Sequence, residues 1–302
     1  MTDIVVIGGS CAGLTAAIYA TRAGYSVTVL EEKAFGGQAA TAAIIENYPA
    51  IDKISGFELA NRMKSQAEKS GAVLKYASAL SIEKENNIFT VVTDSGDIEC
   101  KSVIIANGVK RRELGVKGED KFKGKGISFC AVCDGAFFKN KTVAVVGGAD
   151  SALSEAIYLS SICSRVYLIF RRTAPTASKT YIEKIMELEN VKIVPSSRVV
   201  EFSGEKLLES ITVENVSTNE KTTFDVNGVF EAVGLIPDNK RFENLVELTD
   251  DGYIKANEDC KTSTNGIFAA GDTREKTLRQ IVTATADGAV SATNAIKYLE
   301  TL

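Results

Sequence analysis

Residues 3–24 read DIVVIGGSCAGLTAAIYATRAG and lead into SVTVLEE at 26–32. A β-branched apolar run that stops at glycine reads as a strand, and the small residues after it suit a helix packed closely against that strand. The second apolar run completes a strand, glycine turn, helix and strand, the unit that aims a helix N-terminus at a pyrophosphate. Gly8 and Gly13 hold the outer positions of GxGxxG with Ser10 in the middle one, and Glu31, 23 residues after Gly8, ends the second strand, where a carboxylate suits a ribose hydroxyl. The same grammar returns in KTVAVVGGADSALSEAIYLSSICSRVYLIF at 141–170, with Gly147 standing 139 residues after Gly8.

Between the two units, FTVVTDSGDIECKSVIIANG (89–108) reads as β-rich, with a polar turn at Asp94–Gly96. The charged, glycine-punctuated KRRELGVKGEDKFKGKG (110–126) is the best linker candidate, and a second break falls at LIPDNKRF (235–242). The last part, NGIFAAGD followed by the helical run QIVTATADGAVSATNAIKYLETL, is too small to bury a core of its own. Returning it to the first unit is the economical solution. The predicted fold is α/β, two Rossmann-like (three-layer ββα) dinucleotide-binding domains with the second inserted into the first: 1–112 with 242–302, and 113–241.

Composition narrows the chemistry. The 302 residues are 45% hydrophobic and 25% charged, ordinary for a folded, water-soluble protein. Histidine is absent, which excludes Ser/His and Cys/His catalytic pairs, histidine metal sites and histidine proton shuttles. A net charge of -4 does not favour attraction to nucleic acid or to an anionic membrane. The N-terminus MTDIVVIGG lacks a basic segment before its short apolar stretch, and no apolar run approaches a membrane span, so a cytoplasmic location is expected. Thiols stay reduced there, and of the six cysteines only Cys130 and Cys133 are close in sequence.

That pair, in FCAVCDG, can be half of a zinc site, an accident of structure or a redox dithiol. Zinc wants four ligands, and with no histidine and no second CxxC the dithiol is the better reading; no metal is expected. Asp134 follows directly and can supply or accept the proton a dithiol exchanges, or serve as a turn carboxylate in its DG pair.

GGSCAGLTAA, FGGQAATAAIIENYP, GFELANRMKSQAEKSGA, VIIANGVKRREL, GKGISFCAVCDGAFF and GIFAAGDTREKTLRQIVTATADGA, in this order and spacing, make almost the whole chain resemble the low-molecular-weight thioredoxin reductases. The CxxCDG motif inside a second nucleotide-binding domain is specific to that family. The resemblance implies a homodimer that binds FAD and acts on thioredoxin, with a mobile inserted domain carrying the disulfide. By the same match Cys133 would face the flavin, Cys130 would attack thioredoxin and Asp134 would be the acid. The flavin-contacting segments would supply Gly8, Gly9, Ser10, Ala12, Gly13 and Glu31, then Gly37, Gln38 and Asn47, then Ala106 and Gly108, and finally Gly271, Asp272, Arg279, Gln280 and Ile281.

The second unit departs from the family's NADPH site. GGADSALSEA carries Ala149 at the middle glycine and Ser154 for a glutamate. Phe170 stands where Glu31 stands in the first unit. FRRTAPT keeps Arg171 and Arg172 of the family's HRRxxxR but has Phe170 for the histidine and Thr176 for the third arginine, and VGLIP has Leu235 for another histidine. Losing a charge-assisted contact costs about 1.5–3 kcal/mol. NADPH is therefore doubtful, and the chain is most similar in this respect to the pyridine-nucleotide-independent branch, the ferredoxin-dependent flavin thioredoxin reductases of anaerobes. Reduced ferredoxin, or flavodoxin, is the expected donor, and seven basic against three acidic residues at 110–125 offer a landing area or a solvated hinge. The alternatives are an NADPH-dependent thioredoxin reductase, an FAD dithiol oxidase and an FAD-binding redox sensor without turnover.

Overall fold

The computed structural model describes residues 1–42 and 44–302. From the N-terminus run β1 (Thr2–Ile7), α1 (Cys11–Arg22), β2 (Val27–Glu31), α2 (Gly56–Lys69), β3 (Val73–Tyr76), β4 (Ala79–Glu85), β5 (Ile88–Thr93) and β6 (Ile98–Ile105). Two connecting strands, β7 (Val109–Arg111) and β16 (Leu235–Pro237), pair with each other. Between them lie α3 (Glu119–Phe122), β8 (Ile127–Ser128), α4 (Ala131–Asp134), β9 (Thr142–Val146), α5 (Asp150–Ser160), β10 (Arg165–Ile169), α6 (Lys179–Met186) and β11 (Val191–Val194). The strands β12 (Ser197–Ser203), β13 (Ser210–Asn215), β14 (Lys221–Asp225) and β15 (Gly228–Glu231) follow, and β17 (Ile267–Ala269) and α7 (Ile281–Leu299) close the chain.

Two compact units result, residues 1–110 with 235–302 and residues 111–234. In the first, β3, β2, β1 and β6 form a parallel sheet, β17 adds to it in parallel through β6, and β5 and β4 extend it antiparallel. Along β1, Ile4 and Val6 face one core with α1 and α7, whereas Val5 and Ile7 face another with Ile82, Phe89 and Phe242. A strand buried on both faces has to be a continuous apolar run, which is why DIVVI carries no alternation. Each such side chain contributes roughly 1.5–3 kcal/mol by leaving water. Helices α1 and α7 approach closely: a Cβ on Gly288 would overlap the Ala12 carbonyl, and one on Gly13 would overlap that of Gly8.

In the second unit β11, β10, β9, β15 and β8 form a parallel sheet. Val143 and Val145 turn to the α5 side, while Ala144 and Val146 turn to the antiparallel β12–β14 sheet, giving three layers, helix, sheet and sheet.

Two expectations on the connections need correction. The stretch 110–126 is not a linker, because Phe122 and Glu119 are buried in the second unit at 1% and 3% exposure. Glu119 accepts the N–H groups of Leu114 (3.1 Å), Gly115 (2.6 Å) and Val116 (3.2 Å), so a carboxylate inside the charged run folds the run around itself. The second boundary falls at 234/235, before 242, because Asn239 is fully buried in the first unit, donating to the carbonyls of Gly252 and Thr273 (both 3.1 Å). No helix among the described residues is long and apolar enough to cross a membrane.

Candidate active site

The order of the parallel strands reverses between β1 and β6, and a crevice outside the carboxyl ends of strands at such a point is where a dinucleotide binds. Gly8 has φ +108°, and a Cβ there would overlap the Ala106 carbonyl, so only glycine turns the chain here. The Gly9 N–H donates to Glu31 Oε2 (2.8 Å), holding that carboxylate beside the glycine turn. Ser10, the N-cap of α1, turns its hydroxyl away to the Gly36 carbonyl (2.7 Å) and makes no side-chain cap. The first N–H groups of α1 thus lack a side-chain cap, as an anion site requires. Gly37 packs on Ser10, and Gln38 donates to the Val109 carbonyl. Gly108 has φ +66°.

The C-terminal segment joins the same unit. Gly271, at φ +77°, packs on Ala12 and opens the turn that contains Asp272. Gln280 caps α7, Ile281 begins it, and Asn47 donates to Gln280 Oε1 (3.1 Å). Arg279 lies over the Tyr253 ring (4.4 Å), with its Nε buried and lacking a hydrogen-bond partner among the described residues. A glycine cradle that a Cβ would fill, an uncapped helix N-terminus and an unsatisfied guanidinium N–H fit a bound dinucleotide. Sequence reasoning missed what holds this turn. Asp287 accepts the Gly271 N–H (2.9 Å), Arg274 (2.9 Å) and Lys276 (2.7 Å). Burial opposes ionisation of Asp287, but Arg274 and Lys276 outweigh it and hold the carboxyl below its ordinary range. The one signal available was an aspartate inside the otherwise apolar ATADGA.

In the second unit Cys130 and Cys133 form a disulfide across the short α4, with Cα atoms 5.3 Å apart. Cys130 is the N-cap and half-buried, and Cys133 is exposed. Asp134 ends the turn and accepts the Ser128 hydroxyl (2.6 Å), whose oxygen accepts the Cys130 N–H (3.2 Å). One serine therefore links the proposed acid to the first cysteine. The other thiols are buried and poor nucleophiles: burial pushes Cys11 and Cys163 up to about 11 and Cys100 and Cys260 up to about 12.

The crevice of the second unit repeats the first. Gly147 has φ +147° against the Ala232 carbonyl, and the N-cap of α5, Ala149, has φ −98° and ψ 178°, close to Ser10 at −99° and −165°. Extended backbone of this kind accepts a Cβ, so Ala149 does not distort the turn. Phe170 is 5% exposed and packs on Gly148, filling the place where Glu31 meets Gly9. The Thr176 N–H donates to the Gly148 carbonyl (2.7 Å), so this threonine fastens its loop to the glycine turn. Arg171 and Arg172 are exposed beside it. Three lysines of the basic stretch 110–125 are ion-paired: Lys110 with Asp238 (2.9 Å), Lys117 with Glu201 (2.6 Å), and Lys123 with Glu113 (2.8 Å) and Asp120 (2.7 Å).

Residues 2–288 match the family model of the pyridine nucleotide-disulphide oxidoreductases. The chain is 40% identical over 301 residues to a thioredoxin reductase of Bacillus subtilis, covering 99% of this chain and 95% of that protein. It superimposes on a thioredoxin reductase of Streptococcus pyogenes with TM-score 0.95 at 40% identity, covering 100% and 99% of the two chains. A ferredoxin-flavin thioredoxin reductase of Clostridium acetobutylicum is 30% identical with TM-score 0.54, covering 100% and 99%. Similarity is thus higher to the former two than to the ferredoxin-dependent protein. The chain belongs to the pyridine nucleotide-disulphide oxidoreductase family and, within it, to the low-molecular-weight thioredoxin reductases.

Proposed function

We propose that the chain reduces thioredoxin with electrons from NADPH, by way of FAD in the first unit and the Cys130–Cys133 disulfide in the second. The end of β10 carries the choice of donor. Phe170 leaves no carboxylate there to bind the ribose of NADH or repel a 2′-phosphate, and Arg171 and Arg172 follow at once, exposed. The glycine turn and the uncapped N-terminus of α5 remain for the pyrophosphate.

FAD would be held by the glycine turn at Gly8, Gly9 and Ser10, by Glu31 and by the Gly271–Ile281 segment, and would supply two-electron redox chemistry between a nicotinamide and a disulfide. The chain's own residues do the rest. Two electrons and two protons cleave the Cys130–Cys133 bond to a dithiol, and Asp134, fixed by Ser128, exchanges one proton. The Cys130 thiolate attacks the disulfide of thioredoxin, releasing one of its thiols and forming a mixed disulfide. Cys133 then displaces the second thiol and restores the intramolecular disulfide.

Reduced ferredoxin is the second reading, favoured by Phe170, Thr176 and Leu235 in place of the family's cationic positions. The pairing of Lys110, Lys117 and Lys123 with carboxylates lowers the positive charge that 110–125 would offer an acidic partner. The test is thioredoxin turnover with NADPH or NADH in wild type and in Arg171→Gln/Arg172→Gln. Loss of charge-assisted phosphate contacts is expected to raise KM for NADPH roughly tenfold to a hundredfold or more and to leave KM for NADH unchanged. Equal changes for both nucleotides would refute the assignment of the arginines.

A further inference from the structure

The Ser128 hydroxyl has a partner at each end of the redox turn. It donates to Asp134 Oδ2 (2.6 Å), and its oxygen accepts the N–H of Cys130 (3.2 Å). Ser128 itself is fixed: it is 5% exposed, lies in β8 and pairs in register with Phe230 of β15. Inside the turn the N–H groups of Cys133 and Asp134 return to the Cys130 carbonyl (3.2 and 3.1 Å), and the Cys133 N–H also reaches the Cys130 sulfur (3.2 Å). With the disulfide closed, a covalent bond and the serine both hold this turn. Once the S–S bond is cleaved, the serine still joins its two ends to the sheet.

We propose that Ser128 is a positioning residue for the proton transfer: by holding Asp134 Oδ2 it leaves Oδ1 as the oxygen that exchanges the proton, and by holding the Cys130 N–H as well it keeps the turn in shape after the disulfide opens. The inference rests on the dithiol reading given above and deepens the part that Asp134 plays in it. No donor among the described residues meets Asp134 Oδ1. The bond to Oδ2, at 2.6 Å, is a short hydroxyl–carboxylate contact of the charge-assisted kind. Without it the carboxylate turns freely about its side-chain bonds and spends less time in the geometry that proton transfer needs. When the dithiol closes again, two electrons and one proton leave for the flavin, and Asp134 takes the other proton as the S–S bond forms.

The experiment mixes the holoenzyme anaerobically with dithiothreitol and follows the flavin band, reading the rate that no longer rises with dithiothreitol, so that neither a nicotinamide nor thioredoxin takes part. Ser128→Ala is expected to slow this exchange about tenfold or more, as loss of a hydrogen bond to a charged group does. In an Asp134→Asn background the same change is expected to add less than about twofold, because a serine that acts through the carboxylate has nothing left to position. Two full, multiplicative effects would make Ser128 a purely structural residue and overturn the proposal, as would a Ser128→Ala rate equal to wild type. Amide exchange at 130–134 is a second readout that needs no electron transfer. Ser128→Ala is expected to raise it about tenfold in the dithiothreitol-reduced protein and by less in the disulfide form. Equal exchange in reduced wild type and reduced variant is also fatal. Wild type that dithiothreitol bleaches but NADPH does not overturns the proposed donor and leaves the test of Ser128 standing.

Discussion

Glu231 ends β15 at 5% exposure, and neither of its oxygens has an N–H donor among the described residues. It faces Glu119, whose own oxygens are taken by three backbone N–H groups. Two buried carboxyl groups can meet in this way only if one carries a proton, and burial followed by the repulsion of Glu119 pushes Glu231 up from 4.5 to about 8. Lys123 opposes the shift and Glu113 adds to it. The raised value means that the folded chain holds a proton the unfolded chain releases. The stability this contributes is complete below pH 4.5 and declines as pH rises to about 8. At neutral pH the decline amounts to on the order of 3 kcal/mol, a large share of the roughly 5–15 kcal/mol of a typical domain. Glu231→Gln donates an N–H to Glu119 without holding a proton. It is therefore expected to match wild type in urea near pH 5 and to exceed it by a few kcal/mol near pH 8.5, with slower amide exchange at Leu114–Val116, the loop that Glu119 ties. A variant that differs from wild type by the same amount at every pH would refute the shared proton.

Asp287→Asn removes the anion from a cluster in which Arg274 is 2% exposed, so about 3–5 kcal/mol of stability should go, together with flavin content per chain, read from the thermal midpoint and the visible absorbance. Because the Asp287 carboxyl is held below its ordinary 3.8, its contribution is present above that pH and is lost only as pH falls through the lowered value. Asp134→Asn should keep the flavin bound and slow dithiol–flavin electron exchange by about a hundredfold or more in stopped flow, as loss of a general acid does. An unchanged rate would make Asp134 a turn residue that serves only Ser128.

Much of the fold was legible because its signals are local. The run from Asp3 to Gly8, the small residues of α1 and the recurrence at Gly147 needed only period and glycine placement. Cys130 and Cys133 were legible by spacing. What stayed hidden depends on partners distant in sequence: Glu119 meets Glu231, Asp287 meets Arg274 and Gly271, and Lys117 meets Glu201. A lysine in a charged run reads the same whether it is solvated or paired, so 110–126 reads as a linker although Glu119 and Phe122 within it are buried. At Ala149 a methyl group stands where the family has glycine, a departure that carries little weight alone because Ser10 fills the same position in the first unit; the extended conformation the two residues share is what sequence pattern does not report.

The identity of the electron donor turns most directly on an anaerobic titration of the purified flavoprotein, followed in the visible flavin band. Stoichiometric NADPH is expected to bleach the band rapidly, ahead of NADH, and added thioredoxin disulfide to restore it. A band that stays oxidised in excess NADPH and bleaches with reduced ferredoxin would contradict the proposed donor and assign the second crevice a role other than nicotinamide binding.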